Sequence, residues 1–378
     1  MPSPHGADAA ATVPRPSLRH PLMGARLTTL LRVLRDYGPV APEHRRLVAM
    51  MVLSAAARSP FRLWEAARFA RLRRSRSPPE PPLFIIGHWR TGTTHLHGLM
   101  GCSPAFGHIS PIASGLPDEL LTLGTWLRPL LERALPEDRE VDRVAVTPTS
   151  PQEDEIPLAN LQNLSVFHAV YFPRHFQALI DRGVFLDGVG EPQIARWARL
   201  AKEFADKVAI HQGASRIVIK NPVYTGRLAR LCGIWPGAQF IHIRRNPYEV
   251  FVSTRRYYRT LLPKLALQPF AEIDIDDFVL TTFTRLMDAF EAERGCLSAR
   301  HLVEVSYERL CRDPVAVLAD IHARLGLPAW EATRPRLAQY LATVDGYRTN
   351  ADPISAIDRA KVDARWPDAV AAWERMAK

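Results

Sequence analysis

The sequence predicts an α/β fold, in which a doubly wound parallel sheet is flanked by helices and joined to an N-terminal helical arm. Four short apolar runs have the length of buried strands, and helical patterns directly follow three of them, as in a sheet with helical crossovers. Residues 102–215 separate the first run from the second, which predicts a large helical insertion after the first strand. The runs are 83–86, 216–219, 239–243 and 302–305, and the helical patterns are 94–100, 224–231 and 247–257.

The N-terminal part of the chain carries its entire excess of charge. Residues 1–79 contain 14 Arg and four acids, while the other residues hold 35 basic and 35 acidic side chains, so the net charge of +10 comes from this part alone. After a Pro- and Ala-rich tail, helical patterns at 27–37, 42–57 and 61–74 predict a basic helical arm. We place the start of the main domain, residues 80–378, after the Ser-Pro-Pro that ends at residue 79.

The arm has two interpretations. We favour packing of its helices on the main domain, and the alternative is a surface element that binds an anionic membrane through arginines and apolar residues. In the third helix Arg62, Glu65, Arg68 and Arg71 fall three apart, which predicts one narrow polar stripe on a helix that otherwise seeks apolar neighbours. A module that binds nucleic acid would leave the anion-binding motifs below unexplained, so no nucleic-acid partner is expected.

The composition excludes several classes of protein. The cysteines at 102, 232, 296 and 311 form no Cys-x-x-Cys pair and no His-rich cluster accompanies them, so neither a disulfide framework nor a metal site is predicted. No apolar run reaches the roughly 20 residues that span a bilayer, and the N-terminus lacks the pattern of a secretory signal. We expect a cytoplasmic protein, peripheral at the inner membrane surface if the arm binds lipid.

The strongest functional signal is a P-loop-like phosphate-binding pattern at residues 83–94. An apolar strand leads into a Gly-containing loop and then into a helix, whose positive end and backbone N–H groups can surround an anion, while Thr93 and Thr94 add hydroxyl donors. Thr93 stands where an ATP or GTP enzyme has its lysine, and the cation comes earlier, as Arg90. A nucleotide-dependent kinase is therefore the alternative enzyme, and Thr93 and the lack of an evident acidic Mg²⁺ strand disfavour it.

A second anion site is predicted after the strand at 239–243. Arg245 lies in the loop, Pro247 is suited to the first position of a helix, and Ser253 follows about two turns later. A guanidinium group and a hydroxyl group together bind a phosphate with geometric selectivity. Two separate sites predict a ligand with two separated anionic groups.

At these two motifs the chain resembles the sulfotransferases that use 3′-phosphoadenosine 5′-phosphosulfate, or PAPS. Their 5′-phosphosulfate loop is similar to Arg90-Thr-Gly-Thr-Thr94, and their 3′-phosphate motif is similar to Arg245-x-Pro247 followed by Ser253. The similarity covers residues 82–328, and the segment 150–155 resembles a bacterial branch nearer to the Golgi-type and tyrosylprotein enzymes than to the cytosolic ones. Further similar segments are Ile219-Lys220-Asn-Pro222 and Val305-Ser-Tyr307-Glu308-Arg-Leu310 followed by Asp313-Pro314.

The resemblance implies PAPS as the sulfuryl donor, adenosine 3′,5′-bisphosphate as the product and no required metal. Where the cytosolic enzymes have a lysine before the loop, this chain has Arg90, and their C-terminal Arg-Lys-Gly motif is absent, with Tyr347-Arg348-Thr-Asn350 as the candidate replacement. Tyr307 is expected near the adenine. The donor-binding residues that the resemblance implies are Arg90, Thr91, Gly92, Thr93, Thr94, Arg245, Ser253 and Tyr307.

Two kinds of catalytic residue are expected. For the proton acceptor we favour Glu153 and next Glu155, because related enzymes use a glutamate and both lie in the predicted acceptor-binding insertion, although such a triplet of acids also suits a solvated helix start. Arg90 and Lys220 are expected to stabilise the negative charge that develops on the departing phosphate oxygen. The rival bases are His88, His95, His97 and His108.

The acceptor is expected to be a hydroxylated small molecule or a lipid-like alcohol or phenol. This expectation rests on aromatic residues in the insertion that either line a pocket or form ordinary core. They are Trp126, Phe167, Tyr171, Phe172 and Phe176.

Overall fold

A computed structural model describes residues 20–133, 147–344 and 353–377. Its centre is a five-stranded sheet with the strand order β2-β3-β1-β4-β5, in which every neighbouring pair is parallel. This confirms the predicted α/β class and the parallel sheet. The strands are β1 Leu83–Ile86, β2 Phe106–His108, β3 Arg216–Lys220, β4 Gln239–Arg244 and β5 Leu302–Ser306.

The helices surround this sheet and connect its strands. The arm contributes α1 Leu27–Tyr37, α2 Arg45–Arg58 and α3 Phe61–Arg74, and α4 Thr93–Met100 follows β1. The insertion and the segment after β3 contribute α5 Pro111–Gly115, α6 Leu123–Trp126, α7 Arg128–Arg133, α8 Glu155–Leu161, α9 Phe167–Tyr171, α10 Phe176–Ile180, α11 Glu191–Gln212 and α12 Leu228–Ile234. The rest are α13 Pro247–Leu265, α14 Ile275–Glu293, α15 Tyr307–Arg312, α16 Pro314–Leu325, α17 Trp330–Val344, α18 Ala356–Arg365 and α19 Pro367–Ala377.

The two faces of the sheet are covered by different helices. Phe84 and Ile86 of β1 pack in a cluster with residues of α8, α11 and α12, whereas Leu83 and Ile85 pack in a cluster with residues of α4, α16 and α17. Successive side chains of a strand point to opposite faces, so a continuous apolar run is what a strand buried on both faces requires. The doubly wound arrangement is therefore confirmed.

Strand β1 lies between β3 and β4, which brings three loops to one edge of the sheet. Ile85 is paired with Lys220 of β3, and Ile86 is paired with His242 of β4. Because the carboxyl ends of parallel strands meet at the same edge, the residues that follow β1, β3 and β4 lie close together. This edge holds the candidate site.

Strand β2 was not predicted, and it corrects the description of the insertion as wholly helical. The strand has only three residues, and Phe106 is its one large apolar side chain, so no apolar run marks it. It is a strand because it pairs with β3, from Phe106 opposite Arg216 to His108 opposite Val218. The insertion therefore also supplies an edge of the sheet.

The predicted helix bounds agree best in the arm, where α1 and α3 begin and end at the expected residues. The second arm helix begins with a 3-10 turn, Pro42–His44, and ends one residue later than predicted. Helix α13 extends well beyond the predicted residue 257, because Tyr258, Leu261 and Leu262 continue its buried face.

Helices α1 and α2 share an apolar core with the main domain. Leu30 and Val33 of α1 and Met51 of α2 are fully buried in a cluster that also contains residues of α9, α13 and α14. Arg58 donates to both carboxylate oxygens of Glu119, at 2.9 and 2.8 Å, and to the backbone oxygens of residues 23 and 25. The predicted boundary after residue 79 therefore separates a basic part of the chain from a part with balanced charges. Both parts nevertheless contribute to the same apolar core.

Helix α3 departs from the predicted stripe of charges. Glu65 is buried, accepts hydrogen bonds from the backbone N–H of Leu121 and the hydroxyl of Thr122, and pairs with Lys207 at 3.1 Å. The expectation that most of this helix seeks apolar neighbours is wrong, because Leu63 and other apolar side chains on its opposite side are exposed. No helix among the described residues has the length and apolar character needed to cross a bilayer.

Candidate active site

The loop after β1 turns sharply through three backbone positions with positive φ. These are Gly87 at 144°, Arg90 at 68° and Gly92 at 99°. A β-carbon at position 87 would lie 2.6 Å from a backbone oxygen of β4, and one at position 92 would overlap the ring of Tyr307. Glycine is therefore required at both places by conformation and by close approach.

Hydrogen bonds within this loop hold the start of α4 at the carboxyl end of β1. The backbone N–H and the hydroxyl of Thr91 both donate to the backbone oxygen of His88, at 3.3 and 2.7 Å. Helix α4 then begins at Thr93, and its first N–H groups have no partners within the helix. This strand, loop and helix have the geometry that the sequence predicted for an anion cradle.

Four of the predicted donor-binding residues converge beside the loop. Nε of Arg90 donates to the hydroxyl of Ser253 at 3.1 Å, and Nη1 of Arg245 donates to the backbone oxygen of Arg90 at 3.1 Å. The guanidinium carbon of Arg245 lies 4.5 Å from the ring centroid of Tyr307, and Arg245 also pairs with Glu249. Residues from the loops after β1 and β4 and from α13 and α15 thus form one cationic and aromatic cluster.

The loop that carries Arg245 is fixed by its neighbours. Asn246 caps α13 by accepting from the backbone N–H of Tyr248 at 3.0 Å, and Pro247 takes the first helical position. The backbone N–H of Asn246 donates to Glu308 at 2.8 Å. The Tyr307-Glu308 pair thus supports the second anion site through a ring and a carboxylate.

Lys220 lies at the end of β3 and joins the loop to the predicted base. Its side chain is only 1% exposed, and its Nζ donates to the hydroxyl of Thr94 at 3.3 Å and forms an ion pair with Glu153, whose side chain is 21% exposed. The structure therefore brings together the predicted charge-stabilising lysine, a loop threonine and the favoured base.

The two acids after Glu153, Asp154 and Glu155, are more deeply buried than Glu153 itself. Glu155 is buried and accepts from the backbone N–H of Val166 at 3.0 Å and from the side-chain amide of Asn221 at 2.8 Å. Asp154 is also buried and accepts from the same amide at 2.8 Å and from the hydroxyl of Tyr224. The solvated helix start is therefore wrong for these two acids, although α8 does begin at Glu155.

Burial dominates the electrostatics of Asp154. Desolvation, followed by the charge of Glu155, raises the pKa of Asp154 to about 7, although the hydrogen bonds from Tyr224 and Asn221 lower it. Sequence reasoning missed Asp154, Asn221 and Tyr224. The signal for Asn221 was its position directly after a buried strand, where polar residues reach the carboxyl edge of the sheet.

Burial lowers the pKa of three of the four rival histidines. Burial lowers the pKa of His88 to about 3, and its Nδ1 lies 3.0 Å from the backbone oxygen of Trp89. Burial also lowers the pKa values of His95 and His108, and Nε2 of His108 lies 2.7 Å from the backbone oxygen of Thr149. Burial therefore makes each of these three rings a weaker proton acceptor than an ordinary histidine. The fourth candidate, His97, is buried in α4.

The aromatic residues that were expected near the acceptor do not all lie together. Phe167, Tyr171, Phe172 and Phe176 are buried together in the core that the arm also joins, so ordinary core accounts for them. Trp126 lies at the end of α6 and is exposed. The candidate segment Tyr347 to Asn350 lies outside the described residues.

Comparison with known proteins identifies the family. The family described as the sulfotransferase family matches residues 81–332. The chain belongs to the sulfotransferase family. The omega-hydroxy-beta-dihydromenaquinone-9 sulfotransferases Stf3 of Mycobacterium bovis and Mycobacterium tuberculosis are each 30% identical to it over 312 residues, which cover 82% of this chain and 79% of the relative. The resemblance inferred from the two motifs is confirmed.

Solved sulfotransferase structures share the fold. The enzyme STF1 of M. tuberculosis H37Rv superposes with a TM-score of 0.59 and 17% identity over 92% of this chain and 91% of its own. The enzyme STF9 of M. avium superposes with a TM-score of 0.63 and 16% identity over 91% of this chain and 96% of its own. Membership of the family makes the protein an enzyme that transfers sulfuryl groups, and the kinase and non-enzymatic alternatives are not supported.

Proposed function

We propose that this sulfotransferase moves the sulfuryl group of PAPS to a hydroxyl group of a small-molecule or lipid-like acceptor without a metal ion. One observation carries the proposal. Lys220 contacts both Thr94 of the anion loop and Glu153, beside the cluster of Arg90, Ser253 and Arg245. These contacts support the assignment of a charge-stabilising cation, a proton acceptor and two anion sites to one edge of the sheet.

The donor residues are assigned by the chemistry of their groups. Arg245 and Ser253 offer a guanidinium fork and a hydroxyl for the 3′-phosphate, while the backbone N–H groups of 91–94 and the side chain of Arg90 suit the phosphosulfate. Thr91 uses its own hydroxyl to close the loop. The ring of Tyr307, which Arg245 and Gly92 both contact, offers a face for the adenine.

The reaction is an in-line displacement at sulfur. The acceptor oxygen forms the new S–O bond as the bond between sulfur and the bridging phosphate oxygen breaks, and the departing phosphate keeps that electron pair. Glu153 accepts the hydroxyl proton, and Lys220 and Arg90 stabilise the negative charge that develops on the bridging oxygen. Glu153 and Lys220 are held at this position by their mutual ion pair.

The buried acids act as positioning residues in this proposal. The amide of Asn221 holds Asp154 and Glu155 together, and Asn221 directly follows Lys220, so residues 153–155 are fastened to residues 220–221. Glu155 is the second choice for the base. Both of its carboxylate oxygens already accept hydrogen bonds inside the protein, so it is less suited to receive a proton from an acceptor.

The acceptor assignment has one support from comparison. The two Stf3 relatives are named for a hydroxylated dihydromenaquinone, which is a lipid alcohol. We therefore propose that the acceptor of the present enzyme belongs to a similar chemical class, the lipid-like alcohols or phenols. A cytoplasmic location, peripheral at the inner membrane surface, belongs to the same proposal.

The test is an assay of transfer with chemically defined acceptors. The full-length protein is incubated with PAPS and EDTA and with aliphatic alcohols, phenols or hydroxylated quinone lipids, and both adenosine 3′,5′-bisphosphate and the sulfated acceptor are measured by mass spectrometry. We expect acceptor-dependent product that Glu153→Gln abolishes. Sulfation that this variant leaves unchanged removes Glu153 from the mechanism, and transfer from ATP with Mg²⁺ instead of from PAPS contradicts the donor.

A further inference from the structure

The outer side of α3 and the adjoining end of α6 and α7 form one exposed surface, which we call the tryptophan face. Helix α3 directs Glu65 toward Lys207 of α11, which leaves the opposite side of the helix in solvent. The rings of Trp64 and Trp126 lie 4.5 Å apart at 62°, so the arm and the insertion meet at this surface. The residues of the tryptophan face are Leu63, Trp64, Ala67, Arg68, Arg71, Arg74, Trp126, Leu127 and Leu130.

The apolar side chains of this face are unusually accessible. Leu63 is 82% exposed, Leu130 is 63% exposed and Trp64 is 52% exposed, and Trp126 and Leu127 are exposed beside them. Large apolar side chains that gather on a surface mark a place that is covered in use. No described residue covers them.

The charge of the face has one sign. A helix places residues three, four and seven apart on one side, so Arg68 and Arg71 share the stripe of Trp64, and Arg74 follows one turn later. These three arginines form no ion pair with a described residue, in contrast to Arg58, which is bound to Glu119. The single acid of α3 is the buried Glu65, and Glu132 of α7 is held by Arg128 at 2.7 Å.

We propose that the tryptophan face docks the enzyme on an anionic phospholipid membrane. The tryptophans and leucines enter the boundary between headgroups and acyl chains, and the arginines bind lipid phosphates. A second copy of this chain fits the face less well, because a two-fold contact would bring two patches of the same positive charge together. The proposal does not depend on the donor or on the base, although a lipid-like acceptor would then be met at the surface that holds the enzyme.

The test is flotation of the full-length protein with vesicles of phosphatidylcholine alone or mixed with phosphatidylglycerol, at physiological salt. We expect binding only to the mixed vesicles. The triple variant Arg68→Gln/Arg71→Gln/Arg74→Gln and the double variant Leu63→Ser/Trp64→Ser should each bind at least about tenfold more weakly. Matched controls remove the same charge or an equally exposed apolar group elsewhere, namely Arg300→Gln/Arg312→Gln/Arg334→Gln and Ile357→Ser, whose isoleucine is 71% exposed.

The outcomes show whether the tryptophan face binds an anionic membrane or a second copy of the chain. Unchanged binding by both control variants, together with the two losses, supports the proposal. Equal losses in the two triple variants show that overall charge alone drives binding and overturn it, as does the absence of binding to mixed vesicles. Self-association of the wild type that the Leu63→Ser/Trp64→Ser variant abolishes, measured by sedimentation velocity without lipid, assigns the face to a second copy instead. Transfer activity with a water-soluble acceptor reports separately on the proposed function.

Discussion

The anion loop and the acidic segment 153–155 lie at the same edge of the sheet but depend on different kinds of information. In the loop, Gly87, Arg90 and Gly92 set the backbone, and the groups that we propose to bind an anion are mainly backbone N–H groups, whose positions follow from the local sequence. In the acidic segment, three adjacent carboxylates depend on partners outside the segment, and two of them share the amide of Asn221. Glu153 meets Lys220, Asp154 meets Tyr224, and Glu155 meets the backbone of Val166.

This difference shows which part of a site can be recognised from sequence alone. A site built from backbone groups can be recognised from a sequence motif, because the conformation and the hydrogen bonds of such a site are set by neighbouring residues. A site made of side chains depends on burial and on partners that only the fold supplies. The following predictions test the two regions against each other.

The largest effect is expected for Glu153→Gln. The amide keeps the shape of the side chain but accepts no proton, so we expect kcat to fall by about 10²–10⁴. Binding of adenosine 3′,5′-bisphosphate should be retained, because Glu153 reaches the anion loop through Lys220 and does not contact the Arg245 cluster. The matched control is Glu191→Gln, an exposed glutamate paired with Arg230. A variant at 153 with full activity would assign the base to another residue.

The next effect concerns stability and the buried Asp154. Its folded-state pKa of about 7 lies above the ordinary value of 3.8, so between pH 4 and 7 the folded protein binds more protons than the unfolded chain. The free energy of unfolding should therefore fall as the pH rises through this window, by at most about 4 kcal/mol for this group.

Denaturant unfolding of wild type and Asp154→Asn across this range measures the effect. We expect the stability of the variant to depend less on pH, so that the difference in unfolding free energy between variant and wild type shifts in favour of the variant as the pH rises. Parallel stability curves for the two proteins would show that burial does not raise the pKa of Asp154 in the folded protein.

The smallest effect is expected in the loop, for Gly92→Ala. A β-carbon there overlaps the ring of Tyr307 and adds strain at a φ of 99°, so we expect a loss of about 1–3 kcal/mol in stability and weaker binding of the donor product. The control is Gly233→Ala in α12, where no atom lies within 4 Å of the added carbon. Equal stability and equal product binding of the two variants would mean that the loop tolerates a side chain and that its backbone does not carry the site.

The fold shows the same division between local and distant causes. Strand β1 was predicted because Leu83 to Ile86 are all apolar, and α3 was predicted in its correct bounds. Strand β2 was missed because its pairing with β3, and not its own residues, makes it a strand. The side of α3 that faces the protein was predicted incorrectly: apolar side chains were expected there, but the buried residue is Glu65. Its partners lie far away in sequence.

The candidate site divides in the same way. The convergence of Arg90, Ser253, Arg245 and Tyr307 was expected from their motifs, and the contacts among them now give it a geometry. The part played by Asn221 was not foreseen, because an amide that joins two buried acids is recognised only when those acids are seen beside it.

The central claim is that the anion loop and the Arg245 cluster together bind a nucleotide with two separated anionic groups. It is tested most directly by calorimetric titration with adenosine 3′,5′-bisphosphate in EDTA, with adenosine 5′-phosphate as the comparison. We expect the bisphosphate to bind at least about tenfold more tightly, and Arg245→Ala to remove that preference while Arg334→Ala retains it. Equal binding of the two nucleotides by folded wild-type protein, or a preference that survives in Arg245→Ala, would contradict the account.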